Sequence, residues 1–203
     1  MEQKTSREIT ISEENPPILN DYLKAVRDDD KDRINNTSEA LSDYIIHKVN
    51  KAIEVFYKTD SFLLESKMNE MTICGRLAMY LQDEFKDFRG YYVDIEYYRL
   101  KVPRKNANLR DDRIRCDILF HSRGAYNSRV DNLLAIEAKL EGSTDDGGKD
   151  RSRLEEFVMP ETADTPKGAV HSTLVGLFLR FGKKCTLMRI LPPIVIDVSI
   201  DDK

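Results

Sequence analysis

Residues 133 to 140 read Leu133, Leu134, Ala135, Ile136, Glu137, Ala138, Lys139 and Leu140, an apolar run of β character broken by one carboxylate and one ammonium. Alternate side chains of a strand share a face, so Glu137 and Lys139 point one way while Ile136, Ala138 and Leu140 point the other. An acid and a base therefore stand side by side at the edge of a core. Burying either without a partner would cost several kcal/mol. The bare spelling of an acid two residues before a lysine carries little, because it occurs six times in the chain. Only the pair at 137 and 139 lies inside a β-type apolar run. A second short run, Ile114 to Phe120, carries a single acid, Asp117, followed by Ile118, Leu119 and Phe120. Two strands each deliver one carboxylate.

Working outward, a period of two marks Tyr91 to Arg99, Ile114 to Phe120 and Leu133 to Leu140 as three successive strands. Lys149 to Val158 follows as a short helix. Thr173 to Phe181 and Cys185 to Leu191 are two further strands joined by a turn at Gly182, and Pro192 and Pro193 end the second. The alternation of Ile194, Ile196, Val198 and Ile200 predicts a last edge strand. Upstream, Asn36 with Glu39 resembles a helix start, and Leu41, Ile45, Val49, Ala52 and Phe56 recur at helical spacing to about Lys58. Phe62 to Phe85 is a second helical stretch, with Asn69 as a fresh N-cap after a break near Lys67. Residues 1–35, with Pro16, Pro17, the acidic run Asp28 to Asp30 and little periodicity, read as a loosely ordered N-terminal arm. Residues 36–203 read as one domain without internal repeats. The order of helices, three strands, a helix and strands predicts an α/β fold with a mixed sheet flanked by helices.

The chain's 203 residues suffice for one ordinary core. A hydrophobic content of 40% and a charged content of 33% fit a globular protein. No apolar run approaches the ~20 residues that cross a bilayer, so no membrane partner is expected. Met1 to Thr10 is polar and shows no secretion signal. Cys74, Cys116 and Cys185 are scattered through apolar stretches, as buried free thiols in a reducing cytoplasm would be, so a cytoplasmic location is expected. His47, His121 and His171 show no zinc-ligand spacing.

Glu70 stands first in the row Cys74, Leu77 and Leu81, which makes it an acid on a core-facing stripe. Its other reading is a charge favoured by the dipole at a helix N-terminus. The net charge of −4 argues against indiscriminate adhesion to nucleic acid, yet it hides a local excess. Arg99, Lys101, Arg104, Lys105, Arg110, Arg113 and Arg115 face only Asp111 and Asp112. This segment is either a solvated loop between strands or an arm that contacts phosphates, and it leads directly into the strand bearing Asp117.

The runs NEMTICGRLAMYLQ, DIEYYR, RCDILFHSRG and NLLAIEAKL, in that order, resemble the PD-(D/E)xK, or restriction-endonuclease-like, nuclease superfamily, and more narrowly a group of mostly uncharacterised bacterial members. The likeness covers residues about 60 to 181. It implies a restriction-endonuclease-like core in the order α-β-β-β-α-β and a metal-dependent phosphodiesterase, foremost a DNA endonuclease. Asp117 and Glu137 would be metal-binding carboxylates, with Glu70 as the additional acid from the first core helix. Lys139 would orient or deprotonate the attacking water and stabilise charge on the phosphate. Hard oxygen ligands at one end of two adjacent strands suit Mg²⁺ (or Mn²⁺), which keeps several waters and meets phosphate oxygens. Arg99, Lys101, Arg104, Lys105, Arg113 and Arg115 would contact the nucleic acid. Cys116 stands where the motif has proline. Glu96, on the face of Asp94 and Tyr98, is either an outer partner of the metal or an exposed acid. Asp150 and Arg153 either present polar groups to the site or form a salt-bridged helix surface.

Two other outcomes stay open on the sequence: a non-catalytic binding or assembly module that retains the fold, and a nuclease directed at RNA. Double-strand cleavage by a one-site chain would favour a homodimer.

Overall fold

Pro17 opens helix α1, Pro17–Arg27, at the first helical position, where its fixed φ suits the helix and its missing N–H breaks no bond. A computed structural model describes residues 9, 11–99, 114–126, 128–143, 147–159 and 172–192. Leu19, Tyr22, Leu23 and Val26 recur on one face of α1, and all four are buried in the main core. The expectation of a loosely ordered arm through residue 35 is therefore corrected over residues 17–35. Prolines and acids, read there as signs of disorder, instead punctuate helices. Asp29 turns the chain with φ 51°. Asp30 caps α2, Lys31–Asp60, by accepting the Arg33 amide at 3.1 Å. This start lies upstream of the one expected at Asn36. The Thr37 and Ser38 hydroxyls donate back to the Arg33 and Asn35 carbonyls, at 2.6 and 2.8 Å, so these polar residues ride on the helix without ending it.

After the short α3, Phe62–Glu65, the chain breaks at Lys67, whose φ is 51°. Asn69 then caps α4, Glu70–Glu84, accepting the Thr72 amide at 2.8 Å, as its sequence position predicts. Five strands follow: β1 Tyr92–Arg99, β2 Ile114–His121, β3 Asn132–Leu140, β4 Val175–Phe181 and β5 Cys185–Ile190. A short helix, α5 Ser128–Asp131, lies between β2 and β3, and α6 Gly148–Val158 lies between β3 and β4. The sheet has the order β1-β2-β3-β4-β5. All its pairs are antiparallel except β3 with β4, which run parallel, and α6 lies on the connection between them.

Two apolar clusters sandwich this sheet. Leu41, Ile45, Phe56, Leu77 and Leu81 of α2 and α4 pack with Ile118, Phe120, Leu134 and Ile136 on one face. Leu154 and Phe157 of α6 pack with Leu119, Ala135 and Phe178 on the other. Each such fully buried side chain contributes roughly 1.5–3 kcal/mol. The result is a mixed α/β fold with a five-stranded sheet flanked by helices. Among the described residues no helix is long and apolar enough to cross a membrane. The edge strand expected over 194–200, and the basic residues Lys101, Arg104, Lys105, Arg110 and Arg113, lie outside the described residues. Arg99 ends β1 and pairs with Ile114, and Arg115 of β2 pairs with Tyr98.

Candidate functional site

Strands β2 and β3 part at the two carboxylates. Their ladder ends at the pair Ile118 and Ile136, and the next opposed residues on that register are Asp117 and Glu137. There the Asp117 side chain replaces the ladder, accepting the Ala138 amide at 2.8 Å. The strand also loses its alternation at this point. Ile118 and Phe120 pack beneath α2 and α4 and Leu119 beneath α6, but Cys116 joins Leu119 rather than Ile118. On the neighbouring β1, Glu96 lies between the pairs Ile95 with Ile118 and Tyr97 with Cys116, and its φ is 47°. Asp117 lines a cavity of about 300 Å³ together with Glu70, Cys74, Ile95 and Glu96.

Of the four residues singled out on the sequence, Asp117 and Glu70 line this cavity, and Lys139 and Glu137 are linked to them by direct contacts. Lys139 Nζ lies 3.2 Å from Glu70 Oε1 and 3.0 Å from Asp150 Oδ2. Glu137, only 2% exposed, faces Arg153, with Nε at 3.3 Å from Oε1 and Nη2 at 3.5 Å from Oε2. Arg153 also pairs with Asp150 three residues earlier on α6. The chain of contacts thus runs from Glu70 through Lys139, Asp150 and Arg153 to Glu137, which lies against Asp117. Among the described residues four carboxyl groups meet two cations in this set, a formal sum of minus two if every group is ionised.

Burial dominates the electrostatics of this set, and the neighbouring charges modify it. Burial pushes the Glu137 carboxyl up to about 9, the Asp117 charge and a hydrogen bond to Asp117 add to the rise, and Arg153 opposes it. Burial also raises Glu70, with Lys139 opposing and Asp117 and Asp150 adding. For Lys139 burial acts downward, but its ion pairs with the Asp150 and Glu70 carboxylates outweigh it and hold the ammonium above its ordinary value. Burial, with the charges of Asp117, Glu70 and Glu137, keeps Cys74 a thiol well above its ordinary value.

The donor set can be tested against the divalent ion that the sequence likeness implies. Glu137 Oε1 is buried without a hydrogen bond, since its approach to Arg153 is a charge contact without bonding geometry. An oxygen desolvated in this way beside a second carboxylate suits a hard cation. Among the described residues, however, no three or more His, Cys, Asp or Glu side chains are arranged to hold a metal ion by themselves. Two carboxylates would leave the remaining positions of such an ion to water and other oxygens.

Asp150 and Arg153, for which the sequence offers a site role or a salt-bridged surface, both sit in the cluster. The signal was the one that singled out Glu70, an acid on a core-facing row, here Asp150, Leu154, Phe157 and Val158. His121 is built into a different group, 2.9 Å from Asp94, which Arg123 also pairs at 2.6 Å. Comparison with protein-family models, with curated proteins and with solved structures finds no match to this chain.

Proposed function

We propose that this protein is a metal-dependent phosphodiesterase that hydrolyses nucleic acid, foremost a DNA endonuclease, with Asp117 and Glu137 as the metal-holding carboxylates. The observation that carries the reading is the buried Glu137 oxygen without a hydrogen bond, beside Asp117 in a cluster where carboxyl groups outnumber cations. Apart from the four-residue α5 between β2 and β3, the order α4, β1, β2, β3, α6, β4 is that of the restriction-endonuclease-like core, and it supports the same reading. Asp117 and Glu137 would hold a Mg²⁺ or Mn²⁺ ion, which would supply a water of lowered pKa and offset charge on the phosphate.

The chain's own residues divide the remaining work. Asp117, anchored to the Ala138 amide, presents its carboxylate in a single orientation. Lys139 stays protonated between Glu70 and Asp150, so its part is to stabilise negative charge developing on phosphate oxygens rather than to abstract a proton. Glu70 closes the cluster from the first turn of α4 and lines the cavity beside Asp117. The segment from Arg99 to Arg115, which enters β2, supplies positive charge for the phosphate backbone.

A second reading, a non-catalytic module with this fold, draws on one observation: Arg153 already faces both oxygens of Glu137. The decisive experiment incubates the purified chain with supercoiled plasmid, single-stranded DNA and structured RNA in Mg²⁺ or Mn²⁺. Cleavage that chelation stops and that Asp117→Ala and Lys139→Ala abolish supports the enzyme, and competition among the substrates distinguishes DNA from RNA. No cleavage of any substrate, with no thermal shift from either ion, favours the module.

A further inference from the structure

Among the described residues Asp150 is the one acid that touches both cations of the cluster. Its side chain is 5% exposed, lies 3.0 Å from Lys139 Nζ through Oδ2, and pairs with Arg153 through Oδ1. It sits in the first turn of α6, and packing fixes that turn. Gly147, which precedes the helix, has φ 77°, and a Cβ there would come within 2.4 Å of the Phe178 ring and 3.5 Å of Lys139 Cγ. The backbone entering α6 is therefore wedged between β4 and the Lys139 stem, while Leu154 and Phe157 seat the helix on the sheet. A carboxylate on so rigid a support sets a position as well as a charge.

We infer that Asp150 is a positioning residue of this site, placing the Lys139 ammonium from one carboxylate oxygen and the Arg153 guanidinium against Glu137 from the other. The inference rests on the phosphodiesterase reading for its effect on rate, but the placement of Lys139 is a property of the chain alone. Glu70 holds Lys139 from α4 and Asp150 holds it from α6, so the ammonium is fixed between two helices on a strand common to both. A partner that orients a reacting group acts on the rate mainly through geometry.

The test compares Asp150→Ala, Asp150→Asn and Asp150→Glu in metal-supported cleavage, and measures in each the rate at which acetic anhydride acylates Lys139, read by peptide mass spectrometry. We expect kcat to fall about 10- to 100-fold in Asp150→Ala and in Asp150→Glu, with KM little changed. Glutamate restores the charge but sets it a methylene further out, so a role in charge balance alone would be rescued by it. Wild-type kcat in a folded Asp150→Glu protein overturns the inference. Lys139 acylation is expected to rise severalfold in Asp150→Ala, and an unchanged rate also overturns it. Should the alanine protein fail to fold, the asparagine variant carries both measurements. Should the wild-type chain cleave nothing with either ion, the phosphodiesterase reading fails, and the acylation rates alone decide whether Asp150 places Lys139.

Discussion

The Asp117 carboxylate accepts the Ala138 amide at 2.8 Å where the backbone bonds between β2 and β3 stop. A side chain has taken over a ladder position, so the residue that opens the sheet also satisfies the amide its opening would orphan. Asparagine can make the same bond without the charge. Asp117→Asn is therefore expected to keep wild-type stability while losing any stabilisation by Mg²⁺, whereas Asp117→Ala leaves a buried amide unpaired at a cost of about 1–3 kcal/mol. Thermal melts with and without Mg²⁺ separate the two.

Glu137 links stability to pH. Its folded pKa of about 9 lies above the ordinary 4.5, so between these values the folded chain keeps a proton that the unfolded chain has released. The stability this group contributes is complete below about pH 4.5 and is lost as pH rises through about 9. Glu137→Gln is expected to flatten that decline and to melt higher than wild type at pH 9, by about 2–4 °C for each kcal/mol relieved. A Mg²⁺-induced rise in Tm is expected to grow over the same interval, because the ion competes with the proton. Melting curves at pH 5, 7 and 9 check both.

The N-terminal helix belongs to the core. Leu23 is 0% exposed and packs in the same cluster as the face of α2 beneath the sheet. Leu23→Ala is expected to cost about 2–5 kcal/mol, seen as a lower urea midpoint with an unchanged slope. A loosely attached arm would leave the midpoint where it was.

Gly147 tests how tightly α6 is seated. Its φ of 77° is unfavourable for alanine, and the added Cβ would lie 2.4 Å from the Phe178 ring. Gly147→Ala is expected to destabilise the chain by more than about 1 kcal/mol and to lower cleavage beyond the loss of folded protein, because α6 carries Asp150 and Arg153. Urea titration alongside single-turnover kinetics measures the two effects separately.

Much of the architecture was legible because it depends on local periodicity. Strands at Tyr92–Arg99, Ile114–His121 and Asn132–Leu140 declare themselves by alternation, and the break before α4 by Asn69 as its cap. The misreading of residues 17–35 came from weighing Pro17 and Asp28 to Asp30 as composition rather than position. At the first turn of a helix, and in the turn and cap before the next, those same residues favour order.

The sequence by itself determined that an acid and a base share one face of a core strand, that a second strand brings another acid, and that Glu70 heads a core-facing row. These are consequences of periods of two and of 3.6, which each segment carries in its own residues. Only the tertiary structure decided that Asp150 and Arg153 join them, that Lys139 is held from two helices, and that β2 loses its alternation at Asp117. Whether an acid on a helix stripe meets solvent, a lone lysine or a ring of charges depends on which element packs against it. That packing is a balance of contacts between segments, with no period within any one of them.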